Sequence, residues 1–212
     1  MLNKQKMAQR AHMAWIISGP SGSGKTTLCE ALLKDAVWRK RLVKSVSYTT
    51  RPLRPGEKEG RDYRRISEER FLRIKEDGGF YESEKIFGFY YGTPKKVFLD
   101  ASKEGKDLLL SIDVKGARSL RKSLGRQAVS IFVLPPDMQA LRQRLMRRST
   151  ERKKDIENRL RRVKIELSFM KDYDYIVVND DFNIALAKLK SILTAKQCEG
   201  TYVLRTIRKA DR

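Results

Sequence analysis

The chain has 212 residues, 40% of them hydrophobic, which is long enough for one domain with inserts and a sizeable core. Its 47 Lys and Arg against 26 Asp and Glu leave a net charge of +21. Such a charge asks for polyanionic partners but does not separate nucleic acid, an anionic membrane surface and nucleotides. No apolar run approaches membrane-spanning length, and two cysteines cannot make a disulfide framework.

Residues 1–13 are basic and polar and read as a disordered tail. They lack the apolar segment of a secretory leader, leaving a short organelle-targeting peptide as the alternative. The only histidine, His12, lies there without partners in sequence for a ligand or base role. Cys29 and Cys198 read as free thiols of a reducing compartment, so a cytoplasmic location is expected. Ala14 to Ile17 is a short apolar run bounded by a glycine-rich turn, the pattern of a buried strand. From Lys25 to about Arg39 the residues Leu28, Cys29, Leu32, Leu33 and Ala36 recur at helical spacing. Between them Gly19-Pro20-Ser21-Gly22-Ser23-Gly24-Lys25-Thr26 satisfies G-x-x-x-x-G-K-[ST] at every fixed position, with strand before and helix after. Glycines let backbone N–H groups turn inward around a phosphate, and the helix N-terminus adds partial positive charge. Lys25 then reaches the β/γ-phosphates while Thr26 offers its hydroxyl to Mg²⁺.

Four further apolar runs read as core strands: Val43 to Val46, Leu108 to Ile112, Val129 to Leu134 and Tyr175 to Val178. Helical patterns lie around Lys115 to Ser123, Met138 to Arg148, Lys153 to Tyr173 and Phe182 to Lys196. Strands alternating with helices predict an α/β fold, a five-stranded parallel sheet covered on both faces with ligands at the carboxyl ends of its strands. Two segments break the alternation. Residues 47–96, with strand-like pieces at Gly79 to Glu82 and Phe89 to Tyr91, are too long for a loop and predict a small α+β insert. Residues 139–164, rich in arginine, predict a basic helical lid, which leaves 14–46, 97–138 and 165–212 as the core.

In the insert, Ser47 to Tyr63 reads SYTTRPLRPGEKEGRDY. Arg51 and Arg54 present planar donor forks suited to one phosphate, and lysines would not serve equally well. Here the chain resembles the guanylate kinase family, over nearly its whole length. The likeness rests on the phosphate loop, the S-x-T-T-R-x-x-R-x-G-E-x-x-G-x-D-Y run, Glu82 followed by Tyr90-Tyr91-Gly92-Thr93, Ile112-Asp113-x-x-Gly116, and Asn179-Asp180-Asp181. It implies the P-loop NTPase fold and an ATP:GMP phosphotransferase using Mg²⁺, with dGMP as a further acceptor. By the same likeness Arg51, Arg54, Tyr63 and Tyr91 hold the GMP phosphate, while Ser47, Glu82, Thr93 and Asp113 face the guanine. Gly19 to Thr27, with Ser21, Ser23 and Thr27 among them, and Asn179 hold ATP. Lys25, Arg51, Arg144, Arg148 and Arg159 stabilise the transfer, and Thr26 and Asp113 face the metal.

Glu82 suits its role, because guanine offers N1–H and N2–H₂ to one carboxylate where adenine would turn a lone pair toward it. Two positions depart from the family pattern. Ser111-Ile112-Asp113 replaces a D-x-D pair, which shifts metal binding onto Asp113 and Thr26. Arg147-Arg148-Ser149-Thr150 replaces a Gly-Arg-Gly-Thr run. The partners expected are ATP and GMP, with no membrane and no dedicated nucleic acid, on a monomer or homodimer. The rival readings are a catalytically silent module of this family that binds phosphorylated segments, and a nucleic-acid-binding protein.

Overall fold

The computed structural model describes residues 12–54, 56–86, 88–148 and 153–203, and side chains outside 147–160. In chain order the described elements begin with β1 (Ala14–Ser18), α1 (Lys25–Lys34), β2 (Leu42–Lys44), β3 (Ser47–Thr49) and β4 (Tyr63–Arg65). Next come α2 (Glu68–Glu76), β5 (Phe80–Ile86), β6 (Phe89–Pro94), α3 (Lys95–Lys103), β7 (Asp107–Ser111) and α4 (Val114–Leu124). The chain continues through β8 (Ala128–Leu134), α5 (Met138–Arg148), α6 (Lys153–Ser168), β9 (Tyr175–Val178) and α7 (Phe182–Cys198).

Strands β2, β7, β1, β8 and β9 form one parallel sheet in that order, the five expected core strands. All five residues of β1 are buried, as both faces of the sheet are covered. On one face Trp15, Ile17, Ile131 and Val133 meet Leu28 and Leu32 of α1 and Leu189 and Leu193 of α7. On the other, Ile16, Leu108 and Leu110 meet Phe98 of α3 and Ala117 and Leu120 of α4. Register sets Ile17 beside Ser111 and Ser18 beside Phe132, so the carboxyl ends of the three central strands finish level. The loops that follow them therefore share one edge of the sheet.

Several boundaries differ from the sequence reading. The first helix stops at Lys34, because Asp35 turns extended and its Oδ1 accepts from the N–H groups of Val37 and Trp38 at 3.0 and 3.1 Å. A 3₁₀ turn, Trp38–Lys40, follows. The strand predicted over Val43 to Val46 is Leu42–Lys44. The helix predicted to run to Tyr173 ends at Ser168 and passes into a 3₁₀ turn, Met170–Asp172. The fold also starts earlier than expected, since His12 and Met13, assigned to the tail, are buried. The Met13 N–H and the Trp15 indole N–H both donate to the buried carboxylate of Asp107, each at 3.1 Å, which satisfies a charge that would be costly alone.

The insert is a four-stranded sheet in the order β4-β3-β6-β5 with α2 packed on it, and β5 and β6 are longer than the two pieces legible beforehand. Phe71 of α2 is fully buried and stacks on Phe80 at 4.5 Å and on Tyr90 at 5.2 Å between ring centroids. Burying such a ring contributes about 1.5–3 kcal/mol, with roughly 0.5–1.5 kcal/mol more from each aromatic pair. This small core lets the insert hold its own shape. Lys44 at the end of β2 binds Asp62 at 3.2 Å and so ties insert to core.

Candidate active site

The loop after β1 is shaped by backbone. Gly19, Gly22 and Gly24 have φ of 132°, 86° and 93°, a region that disfavours side chains. A Cβ on Gly19 would lie 2.2 Å from the Val133 carbonyl oxygen, and one on Gly24 would lie 2.2 Å from the Asn179 amide nitrogen. Lys25 folds back over the loop, its Nζ donating to the carbonyls of Gly19 at 2.6 Å and Pro20 at 2.8 Å. Pro20 and Ser23 are buried, Ser21, Thr26 and Thr27 exposed. Asn179, just past β9, is buried beneath this loop and donates its amide to the Ser23 carbonyl at 2.8 Å. Its place is thus structural support for the loop, whatever else it touches. Arg144 of α5 joins the same corner by donating to the Asn179 carbonyl at 3.0 Å. The side chains of Arg148 and Arg159, assigned from sequence to the same lid, lie outside the described residues.

The insert gathers its own cluster. Arg51, mostly buried, donates through Nε to the Tyr91 hydroxyl at 3.0 Å, through Nη1 to the Pro52 carbonyl at 2.6 Å, and through Nη2 to both oxygens of Glu57 at 2.9 and 2.8 Å. Burial works against its charge, but the bonds to Glu57 and Tyr91 outweigh it and hold the Arg51 pKa above the ordinary value. Tyr63 and Tyr91 meet edge to face at 5.9 Å, and the Arg51 guanidinium lies 5.6 Å from the Tyr63 ring centre. Burial pushes the Tyr63 hydroxyl up, so it stays a neutral donor. Arg54 is exposed, while its backbone N–H donates to Glu57 at 2.8 Å. Ser47 is half-buried and pairs with Tyr63 across β3 and β4.

A second group lies where the insert meets the core. The Thr93 hydroxyl donates to Glu82 Oε1 at 2.6 Å. A Cβ on Gly116, in the first turn of α4, would come within 3.3 Å of the Glu82 carboxylate. Burial pushes Glu82 up to about 7, the Asp113 charge adding to the rise and the Thr93 bond opposing it. Asp113 caps α4 by accepting from the Gly116 N–H at 2.8 Å through one oxygen, and its other oxygen lies 3.9 Å from Arg162. Ser111 is exposed at the end of β7.

Three functional candidates escaped the sequence reading. Glu57 lay inside the quoted arginine run without a role. Arg162 and the buried Glu166 lie on α6, with Glu166 three residues beyond the buried Val163. An acid set on the apolar stripe of a helix was the signal that could have found it.

A parallel sheet with a phosphate loop at its carboxyl edge, faced by an inserted sheet carrying a second anion cluster, defines a P-loop phosphotransferase. The guanylate kinase family model matches residues 11–196. A guanylate kinase of Caldanaerobacter subterraneus subsp. tengcongensis is 42% identical over 86% of this chain and 87% of its own. That of Maricaulis maris is 44% identical over 85% of this chain and 82% of its own. The crystal structure of guanylate kinase from Anaplasma phagocytophilum superposes with a TM-score of 0.73 at 34% identity, covering 92% of this chain and 90% of that one. The chain belongs to the guanylate kinase family.

Proposed function

We propose that the two clusters divide the family's reaction between them, the loop after β1 taking the donor and the insert the acceptor. The protein is an ATP:GMP phosphotransferase. Lys25, parked on the Gly19 and Pro20 carbonyls, exchanges these for the β/γ-phosphates of ATP, whose other oxygens meet the N–H groups of residues 19–27. Arg51 and Arg54, with the Tyr63 and Tyr91 hydroxyls, receive the GMP phosphate. Glu82, oriented by Thr93, accepts from guanine N1–H and N2–H₂, with Ser47 and Asp113 lining the same base; dGMP fits this reading equally, since none of these contacts reaches the 2′ position.

A general base is not needed, because a phosphate monoester with a second pKa near 6 is already mostly a dianion at neutral pH. The work left is electrostatic: Lys25, Arg51 and Arg144, with Arg148 and Arg159 from the lid, offset charge that spreads over the transferring oxygens. Among the described residues no group of three or more His, Cys, Asp or Glu could hold a metal ion alone. That fits Mg²⁺, which binds through one or two protein oxygens plus substrate phosphates. Thr26 and Asp113 are the residues that would hold it, and the ion would screen the β- and γ-oxygens. Asn179 supports the loop from below and so acts on ATP through Ser23.

The observation that carries this reading is the place of Asp113. It caps α4, whose Gly116 abuts the Glu82 carboxylate of the insert, and it follows β7, which runs beside β1 and the phosphate loop, so the acceptor and donor candidates lie at one edge of the sheet. The intact Lys25 and Thr26 argue against a silent binding module. Among the described residues no helix is long and apolar enough to cross a membrane. A cytoplasmic location and a monomer or homodimer belong to the proposal. The test is ADP release from MgATP with each nucleoside monophosphate in turn, beside Lys25→Ala. GMP should be the preferred acceptor and the variant should be inactive. A preference for AMP or UMP overturns the acceptor assignment, and an active Lys25→Ala overturns the donor site.

A further inference from the structure

Asp107 and Glu166 are the two buried acids of the described chain. Asp107 lies at the far end of the sheet and is accounted for by Trp15 and Met13. Glu166 lies at the site end, on the last turns of α6, and nothing in the reaction as derived so far uses it. Its Oε1 is 3.3 Å from Arg162 Nε, and the same guanidinium reaches across to Asp113 Oδ2 at 3.9 Å. Burial favours the neutral form of Glu166, and the charge of Lys25 is the strongest influence opposing that, ahead of Arg162. Asp113, Arg162 and Glu166 thus alternate in charge from the cap of α4 along α6, and Lys25 of the phosphate loop is a fourth charge, felt at Glu166.

This arrangement lies where two polyanions must enter. A carboxylate facing a phosphate site repels the substrate unless a cation accompanies it, and the repulsion is strongest where water is scarce. Arg162 is the one cation of the four that comes from the lid helix and touches both acids.

We propose that Arg162 and Glu166 form a positioning pair for phosphoryl transfer, in which the guanidinium cancels the Glu166 and Asp113 carboxylates beside the nucleotide phosphates and moors α6 to the acceptor side of the core. The inference rests on the assignment of Lys25 to the donor phosphates.

Steady-state kinetics of the full chain for GMP and MgATP test it, on the wild type, Arg162→Met, Glu166→Gln, the double variant and Arg162→Lys, each checked by thermal melting. Arg162→Met leaves two acids facing the substrates and should lower kcat/KM roughly tenfold, mainly through KM for both nucleotides. Adding Glu166→Gln removes one of those acids and should recover most of the loss, while Arg162→Lys should stay within about threefold of the wild type. A merely structural ion pair would show its loss and recovery in the melting temperature, whereas a positioning pair shows them in KM at unchanged melting temperature. If Arg162→Met melts below the assay temperature, Arg162→Gln takes its place in the cycle. Losses that simply add, or an Arg162→Met enzyme with unchanged constants, overturn the proposal. A wild type indifferent to Lys25→Ala would instead sink the donor-site reading beneath it.

Discussion

The two clusters proposed to bind the nucleotide phosphates are made of different materials. Around the phosphate loop the shape is carried mainly by backbone, three glycines at positive φ and a carbonyl of β8 pressed against Gly19, with one side chain, the Asn179 amide, supporting it under Ser23. In the insert it is carried by side chains, Arg51 clasped by Glu57 and Tyr91, and Glu82 by Thr93. A backbone cradle has no titratable group to lose and no rotamer to misplace. A side-chain cradle can be retuned by one substitution or one proton. The donor site should therefore fail abruptly and the acceptor site gradually.

Gly19→Ala is the sharpest way to break that contrast. The added Cβ must displace the Val133 carbonyl or force the loop out of its conformation, at a cost of about 3 kcal/mol or more. Loss of nearly all activity together with a lowered Tm is expected; a stable, active variant would show that the loop is not built by sterics. Glu82→Gln comes next. It should raise KM for GMP by roughly ten- to a hundredfold and leave KM for ATP within about twofold.

A milder test uses protons instead of mutation. Glu82 is held near 7, above the ordinary carboxylate value, so the neutral form is the one the fold prefers. Its contribution to stability is fully present below the ordinary range and is lost as pH rises through about 7. Guanine binding by Glu82, as proposed, runs the other way, since two base donors need the carboxylate. KM for GMP should fall as pH rises through about 7, and the difference between the wild-type and Glu82→Gln profiles separates this from ionisation of the GMP phosphate. Profiles that coincide would remove Glu82 from base recognition.

Smaller effects should come from Ser111→Asp and Glu57→Gln. The first adds a carboxylate at the end of β7 and should lower the Mg²⁺ concentration for half-maximal rate severalfold, by roughly 0.5–1 kcal/mol. The second frees Arg51 from a competing anion while Tyr91 and Pro52 still orient it, so KM for GMP should fall about threefold. A rise would mean that Glu57 positions Arg51 instead of competing with its ligand.

What could be read beforehand follows the same division. The phosphate loop was legible because backbone sterics restrict residue type at each position from Gly19 to Thr26. The five core strands were legible because a sheet covered on both faces needs unbroken apolar runs such as Ala14 to Ile17 and Val129 to Leu134. Ends were less so: Asp35 stops α1 while its carboxylate accepts from the N–H groups of Val37 and Trp38, which helical periodicity does not register. His12 and Met13 were read as tail because burial of a polar run depends on Asp107, ninety-odd positions away. The Arg162 and Glu166 pair stayed hidden for the same reason, since its partners Asp113 and Lys25 come from other elements. Asn179 was assigned to ATP by family likeness, and the amide bond that it makes under the loop was not legible, since Ser23 is 156 positions away.

Both tryptophans, Trp15 and Trp38, are buried against the parallel sheet, whereas the aromatic rings of the insert are phenylalanine and tyrosine only. Indole fluorescence during denaturation would thus follow the sheet alone. Any earlier loosening of the acceptor half would pass unseen at that wavelength, and would need tyrosine emission or a tryptophan placed at Phe80 to be recorded.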